Sequence, residues 1–99
     1  MSLSTHVLNA ATGRPAAGLA VRLERADGTI LADKHTDADG RIKDLPSLEP
    51  GAYRLIFRTG EISPFYPTVT IDFTVTDAAE HYHVPLLLSP YSFSTYRGS

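Results

Sequence analysis

Residues 69–76 alternate without a break: Val69, Ile71, Phe73 and Val75 are apolar, while Thr70, Asp72, Thr74 and Thr76 are polar. A period of two sends the two sets to opposite faces of an extended chain, so this stretch is a strand with one wet face and one face that needs a core. The same period recurs elsewhere. Tyr53, Leu55 and Phe57 oppose Arg54 and Arg58; Leu19, Val21 and Leu23 oppose Arg22 and Glu24; Leu3, Thr5 and Val7 oppose Ser4, His6 and Leu8. A less regular strand is expected over 29–36, a short segment begins at Arg41, and 44–51 reads as loop. Turn residues separate these runs at 9–15, 37–40 and 77–80, and Asp27-Gly28 supplies a type I′ hairpin signal between the second and third strands. Seven or eight short strands with no helical period predict an all-β fold, an antiparallel Greek-key β-sandwich in two sheets.

The segment 81–99, HYHVPLLLSPYSFSTYRGS, departs from this pattern. Tyr82, Val84, Leu86 and Leu88 form one face, but the opposite face carries His81, His83, Pro85 and Leu87 and is apolar toward its end. A sheet in a two-layer sandwich has one inner face, so an apolar outer face needs a cover, and the simplest cover is another copy of the chain. If the first and penultimate strands share a sheet, His6 and Leu8 lie under the same cover. After Ser89-Pro90 a last strand over 91–96 alternates aromatic and small hydroxylated residues, and Arg97-Gly98-Ser99 follows, with a terminal carboxylate expected beside Tyr96 and Arg97.

The 99 residues are expected to form one domain, 1–99. A formal charge of -2 with singly scattered basic residues gives no nucleic-acid footprint, and apolar runs of three or four residues give no membrane span. The start, MSLSTHV, lacks the basic head and apolar stretch of an export signal, so a cytoplasmic protein is expected. There is no cysteine, hence no disulfide or thiolate site.

Four histidines remain as candidates for chemistry. His35 sits near a turn and reads as a surface residue. His81 and His83 fall on one face two residues apart, a spacing that suits a pair of zinc ligands with His6 as a third, and equally suits acid–base work. Among the arginines, Arg22, Arg54 and Arg58 decorate polar strand faces and are expected to extend into water.

The stretches LSTHVLNAATGRPAAGL, DADGRI and HYHVPLLLSPYSFSTYRGS together resemble the 5-hydroxyisourate hydrolases, transthyretin-related enzymes of urate breakdown. The resemblance spans essentially the whole chain, and YRGS after HYHVPLLLSPY is its most specific part. It implies a transthyretin-like (prealbumin-like) fold with two four-stranded sheets per subunit, and a homotetramer with sites at the subunit interface. It also implies hydrolytic opening of 5-hydroxyisourate to 2-oxo-4-hydroxy-4-carboxy-5-ureidoimidazoline, with no cofactor and no metal. Carried over residue by residue, His6, Arg41, His83 and the Ser99 carboxylate become catalytic candidates, and Tyr96, Arg97, Gly98 and His81 substrate-binding ones. A small-ligand carrier of the transthyretin type and a non-catalytic β-sandwich are the rival readings. Two departures from the family pattern stand out: Asn9 where Asp is common, and only 60–64 where a short helix commonly joins the fifth and sixth strands.

Overall fold

The computed structural model describes residues 3–99, which form nine strands and no helix. These are β1 (Leu3–Asn9), β2 (Arg14–Pro15), β3 (Ala20–Arg25), β4 (Ile30–His35), β5 (Arg41–Leu45), β6 (Gly51–Arg58), β7 (Thr68–Val75), β8 (Tyr82–Ser89) and β9 (Ser92–Thr95). One sheet runs β4-β3-β6-β7; the other runs β2-β1-β8-β9, with β5 also paired to β1. The expected two-sheet sandwich is therefore present. Its core takes one alternate set from each strand, including Leu3 and Val7 of β1, Leu23 of β3, Leu55 and Phe57 of β6, and Leu86 and Leu88 of β8. Each of these large side chains contributes about 1.5–3 kcal/mol through burial.

Three features differ from the sequence reading. First, β1 and β8 run parallel, in register from Leu3 opposite Tyr82 to Asn9 opposite Leu88, within a fold otherwise antiparallel. A hairpin fixes antiparallel pairing locally, whereas strands from the two ends of a chain meet in a direction set by the crossovers between them. Second, the β1 sheet has five strands instead of four, because Arg14 and Pro15 pair with Asn9 and Leu8 inside the expected turn. Third, β5 reaches Leu45 and β6 begins at Gly51, so the loop is shorter than 44–51. Leu45 is drawn into the sheet by pairing with Leu3 across an irregular register.

The Asp27-Gly28 hairpin is present, but it is not type I′. That turn requires positive φ at both central residues, and among the described residues only glycines have positive φ, with Gly28 at 92°. The Gly28 N–H instead donates to the Arg25 carbonyl at 2.9 Å and the Arg25 N–H to the Thr29 carbonyl at 2.9 Å, which gives a longer loop ending on a left-handed glycine. Arg22 and Arg54 do not simply extend into water: Arg22 pairs with Asp33 at 3.0 Å, and Arg54 with Asp72 at 3.2 Å and Glu24 at 3.7 Å. Such partly exposed pairs add little stability.

The turn before β5 governs where Arg41 arrives. Asp37 accepts hydrogen bonds from the backbone N–H groups of Asp39 and Arg41 at 2.8 and 3.0 Å, and these bonds hold its carboxyl below the usual carboxylate range. Gly40 closes the turn at φ +73°, and its carbonyl accepts the Val7 N–H at 2.8 Å. A Cβ there would stand 2.5 Å from the Val7 carbonyl oxygen. Gly40→Ala should therefore lower stability by about 1–3 kcal/mol, seen as a fall of about 4 °C or more in the thermal midpoint. An unchanged midpoint would contradict this packing.

Candidate active site

The parallel register sets Ser4 opposite His83, His6 opposite Pro85 and Leu8 opposite Leu87, and the β5 register sets Arg41 opposite His6. Residues opposite one another share a face. His6, Arg41 and His83 thus come from three strands onto the outward face of the β1 sheet, each half-buried. A cavity of about 210 Å³ opens beside His6, lined by His6, Leu8, Pro85, Leu86, Leu87 and Tyr96. A larger hollow of about 470 Å³ opens between the sheet edges, against Ile71, Phe73, Tyr82 and Arg97 among others. It contains none of the histidines, whereas the smaller cavity is lined by His6.

His83 is the most constrained group on this face. Its Nδ1 lies 2.7 Å from the Ser4 hydroxyl, which also lies 2.9 Å from Nε2 of His81. The Gly98 N–H donates to the His83 carbonyl at 2.8 Å, forming a bridge that lays the chain's end against the imidazole. Burial pushes the His83 pKa down, and the nearby Arg41, His6 and His81 push it the same way. The ring is consequently neutral at neutral pH and able to accept a proton.

The sign of this shift can be tested. In the unfolded chain His83 takes a proton near the ordinary value of 6.5, and in the folded protein it does so only at lower pH. Its contribution to stability is complete above 6.5 and is lost as pH falls through the lowered folded value, because the unfolded state binds the proton first. An NMR titration should find the His83 midpoint below 6.5, and Arg41→Gln, which removes a neighbouring cation, should move it upward. A downward move would contradict the assigned neighbours.

The other candidates are distributed unevenly. Tyr96 lines the small cavity although it is 59% exposed. Arg97 turns toward the sheet edge, donating to Glu80 at 2.8 Å with its guanidinium 4.5 Å from the Tyr82 ring centre. Ser99 is exposed and follows directly on Gly98. Among the described residues no three His, Cys, Asp or Glu side chains are grouped to hold a metal ion, and His81 and His83 converge on Ser4 instead. The residue that sequence reasoning missed is Ser4. Its position two before His6 put it on the right face, but only the strand pairing brings it to His83.

The two departures also have locations. Asn9 does not face His83: its side chain accepts the Ala11 N–H at 3.1 Å and serves the 10–13 turn, a bond that Asp could accept equally. The connection 59–67 contains turns and no helix. The Thr59 N–H donates to the Pro67 carbonyl at 3.0 Å, and the buried Ser63 hydroxyl to the Pro90 carbonyl at 2.6 Å.

A two-sheet sandwich with a polar cluster on one outer face defines the class, a transthyretin-like β-sandwich. The chain belongs to the HIUase/Transthyretin family, whose model matches residues 3–98. It is 47% identical to the 5-hydroxyisourate hydrolase of Caulobacter vibrioides, over 98% of this chain and 97% of that one. That alignment spans 112 positions against 99 residues here, so the relative carries residues that this chain lacks. Among solved structures, the Klebsiella pneumoniae 5-hydroxyisourate hydrolase superposes with a TM-score of 0.85 at 40% identity, covering 98% of both chains. Sea bream transthyretin in complex with thyroxine superposes at 0.88 with 32% identity, over 97% of this chain and 93% of that one.

Proposed function

We infer that this protein is a 5-hydroxyisourate hydrolase, a cyclic amide hydrolase of urate breakdown that acts in the cytoplasm. The observation that carries the reading is the convergence of His6, Arg41 and His83 on one half-buried face. Opening the substrate ring requires a base for water, donors for the developing oxyanion and a proton for the departing nitrogen. His83 is held neutral, and with Nδ1 engaged by Ser4 its Nε2 is the nitrogen that takes the water proton. The hydroxide oxygen bonds to the ring carbonyl carbon, and Arg41 supplies a planar fork of donors to the oxyanion. As the ring C–N bond breaks, the nitrogen recovers from Nε2 of His83 the proton taken from water, and a carboxylate forms. Tyr96 borders the cavity and Gly98 packs against the base. Hydrolysis in ¹⁸O-water should put one heavy oxygen into the product carboxylate over many turnovers per site. Stoichiometric uptake of the ligand without turnover would instead support the carrier reading that the likeness to transthyretin raises.

The assembly proposed is a homotetramer. Leu8 and Leu87 lie opposite one another on the outward face and remain half-exposed, whereas Pro85 is already covered within the chain. A second copy over this face removes both leucines from water and closes the small cavity. Leu87→Glu should dissociate the tetramer, read by light scattering. A monomer for the unmodified protein at micromolar concentration would contradict the proposal.

A further inference from the structure

Ser4 stands between two imidazoles, 2.7 Å from Nδ1 of His83 and 2.9 Å from Nε2 of His81. A hydroxyl has one proton to donate. It can therefore donate to one ring only, and the other ring must donate to it. If Ser4 donates to His83, the His83 proton sits on Nε2 and that nitrogen cannot accept another. If His83 donates from Nδ1 to the Ser4 oxygen, Ser4 donates to Nε2 of His81, and the lone pair on Nε2 of His83 is open to water. Only the second arrangement provides a base, and the pairing of Ser4 with both rings makes it available.

The surroundings favour moving the resulting charge outward. Half-buried His83 faces Arg41 from β5, His6 from β1 and His81 from the segment before β8. His81 is exposed, its carbonyl lies 3.5 Å from the Arg97 guanidinium, and Arg97 is itself paired with Glu80. We propose that Ser4 sets the tautomer of His83 and relays its surplus proton to His81, a role that rests on the hydrolase reading above.

When Nε2 of His83 takes a proton from water, the Nδ1 proton passes to the Ser4 oxygen and the Ser4 proton passes to Nε2 of His81. His83 is then neutral, with its proton on Nε2, and His81 carries the charge. As the ring nitrogen departs, His83 gives it the Nε2 proton, and the relay runs back from His81 through Ser4 to Nδ1. One proton leaves water and one reaches the leaving nitrogen, so the cycle closes. Ser4 and His81 act through His83 and are positioning residues.

The tautomer can be read with no substrate present, from the ring ¹⁵N shifts of His83 in labelled protein above neutral pH. The expected result is a proton on Nδ1 in the parent and in Ser4→Thr, which keeps the hydroxyl, and on Nε2 in Ser4→Ala. A proton on Nε2 in the parent, or no change in Ser4→Ala, overturns the proposal. His81→Gln separates relaying from positioning, because its amide oxygen accepts the Ser4 hydroxyl but takes no proton at neutral pH. It should keep the His83 tautomer and lose about ten- to a hundredfold in kcat, less than loss of the base itself, with KM little altered; Ser4→Ala should lose at least as much, and Ser4→Thr should restore it. Unchanged kcat in His81→Gln or Ser4→Ala overturns the relay. Failure of the hydrolase reading would appear separately, as a parent protein without turnover.

Discussion

Replacing His83 with alanine is expected to lower kcat by about 100- to 10,000-fold while leaving the protein folded. The ring lies on the outward face, bonded to Ser4 and backed by Gly98, and the residues that close the core around it, Val84 and Leu86, point the other way. Removing the ring therefore deletes the proposed water-activating base without opening a core cavity. His6→Ala and Arg41→Ala should show losses in the same range for the same reason, since both side chains are half-buried on that face. Circular dichroism and thermal midpoints establish that each variant is folded, and steady-state kinetics measure the loss. Turnover equal to the parent's in any one of the three would remove that residue from the mechanism.

Gly98→Ala is expected to have an effect approaching that of His83→Ala, although it adds a single methyl group at a position that carries no chemistry. A Cβ at Gly98 would stand 2.4 Å from Cδ2 of His83 and 3.1 Å from its Cγ. No Cβ tolerates such a distance, so either the ring rotates away from Ser4 or the Gly98 to His83 backbone bridge opens. Both outcomes misplace the base, and small misplacements of reacting groups cost about 100-fold. The loss should fall in kcat, with the thermal midpoint little changed because the contact lies outside the hydrophobic core. A Gly98→Ala variant as active as the parent would show that the close approach is not needed for turnover.

The strands were legible from residue alternation because side-chain direction along an extended chain depends only on its period. Residues 69–76 and 53–58 declared their inner faces in this way, and Val69, Val75, Tyr53, Leu55 and Phe57 are all buried. Which strands become neighbours is a different question, since pairing is decided between segments far apart in sequence. The parallel β1–β8 ladder, the extra pairing of Arg14 and Pro15, and the Ser4 contact with His83 all belong to that class. Asp27-Gly28 was a correct hairpin signal with the wrong backbone, because an Asp-Gly pair also fits a loop whose last residue alone is left-handed. The candidate site was legible chiefly through its resemblance to a family. Periodicity alone put His6 on a face with Ser4 and Leu8, and gave no reason to join Arg41 to it.

The terminal tetrapeptide illustrates the same division. Its four residues were singled out together, yet they lie in different surroundings: Tyr96 at the small cavity, Arg97 with Glu80 and Tyr82, Gly98 against His83, and Ser99 exposed. Arg97 is held by a charge-assisted hydrogen bond and a ring face, so the proposed role in substrate binding requires it to leave them or to act through a neighbouring copy.

The central claim, that this face hydrolyses 5-hydroxyisourate, is tested most directly by following the ultraviolet absorbance of freshly generated substrate with and without catalytic amounts of the purified protein. The account predicts a decay rate proportional to protein concentration and well above the spontaneous rate, with that enhancement reduced about 100-fold or more in His83→Ala. Decay at the spontaneous rate in the presence of the folded, unmodified protein would contradict it.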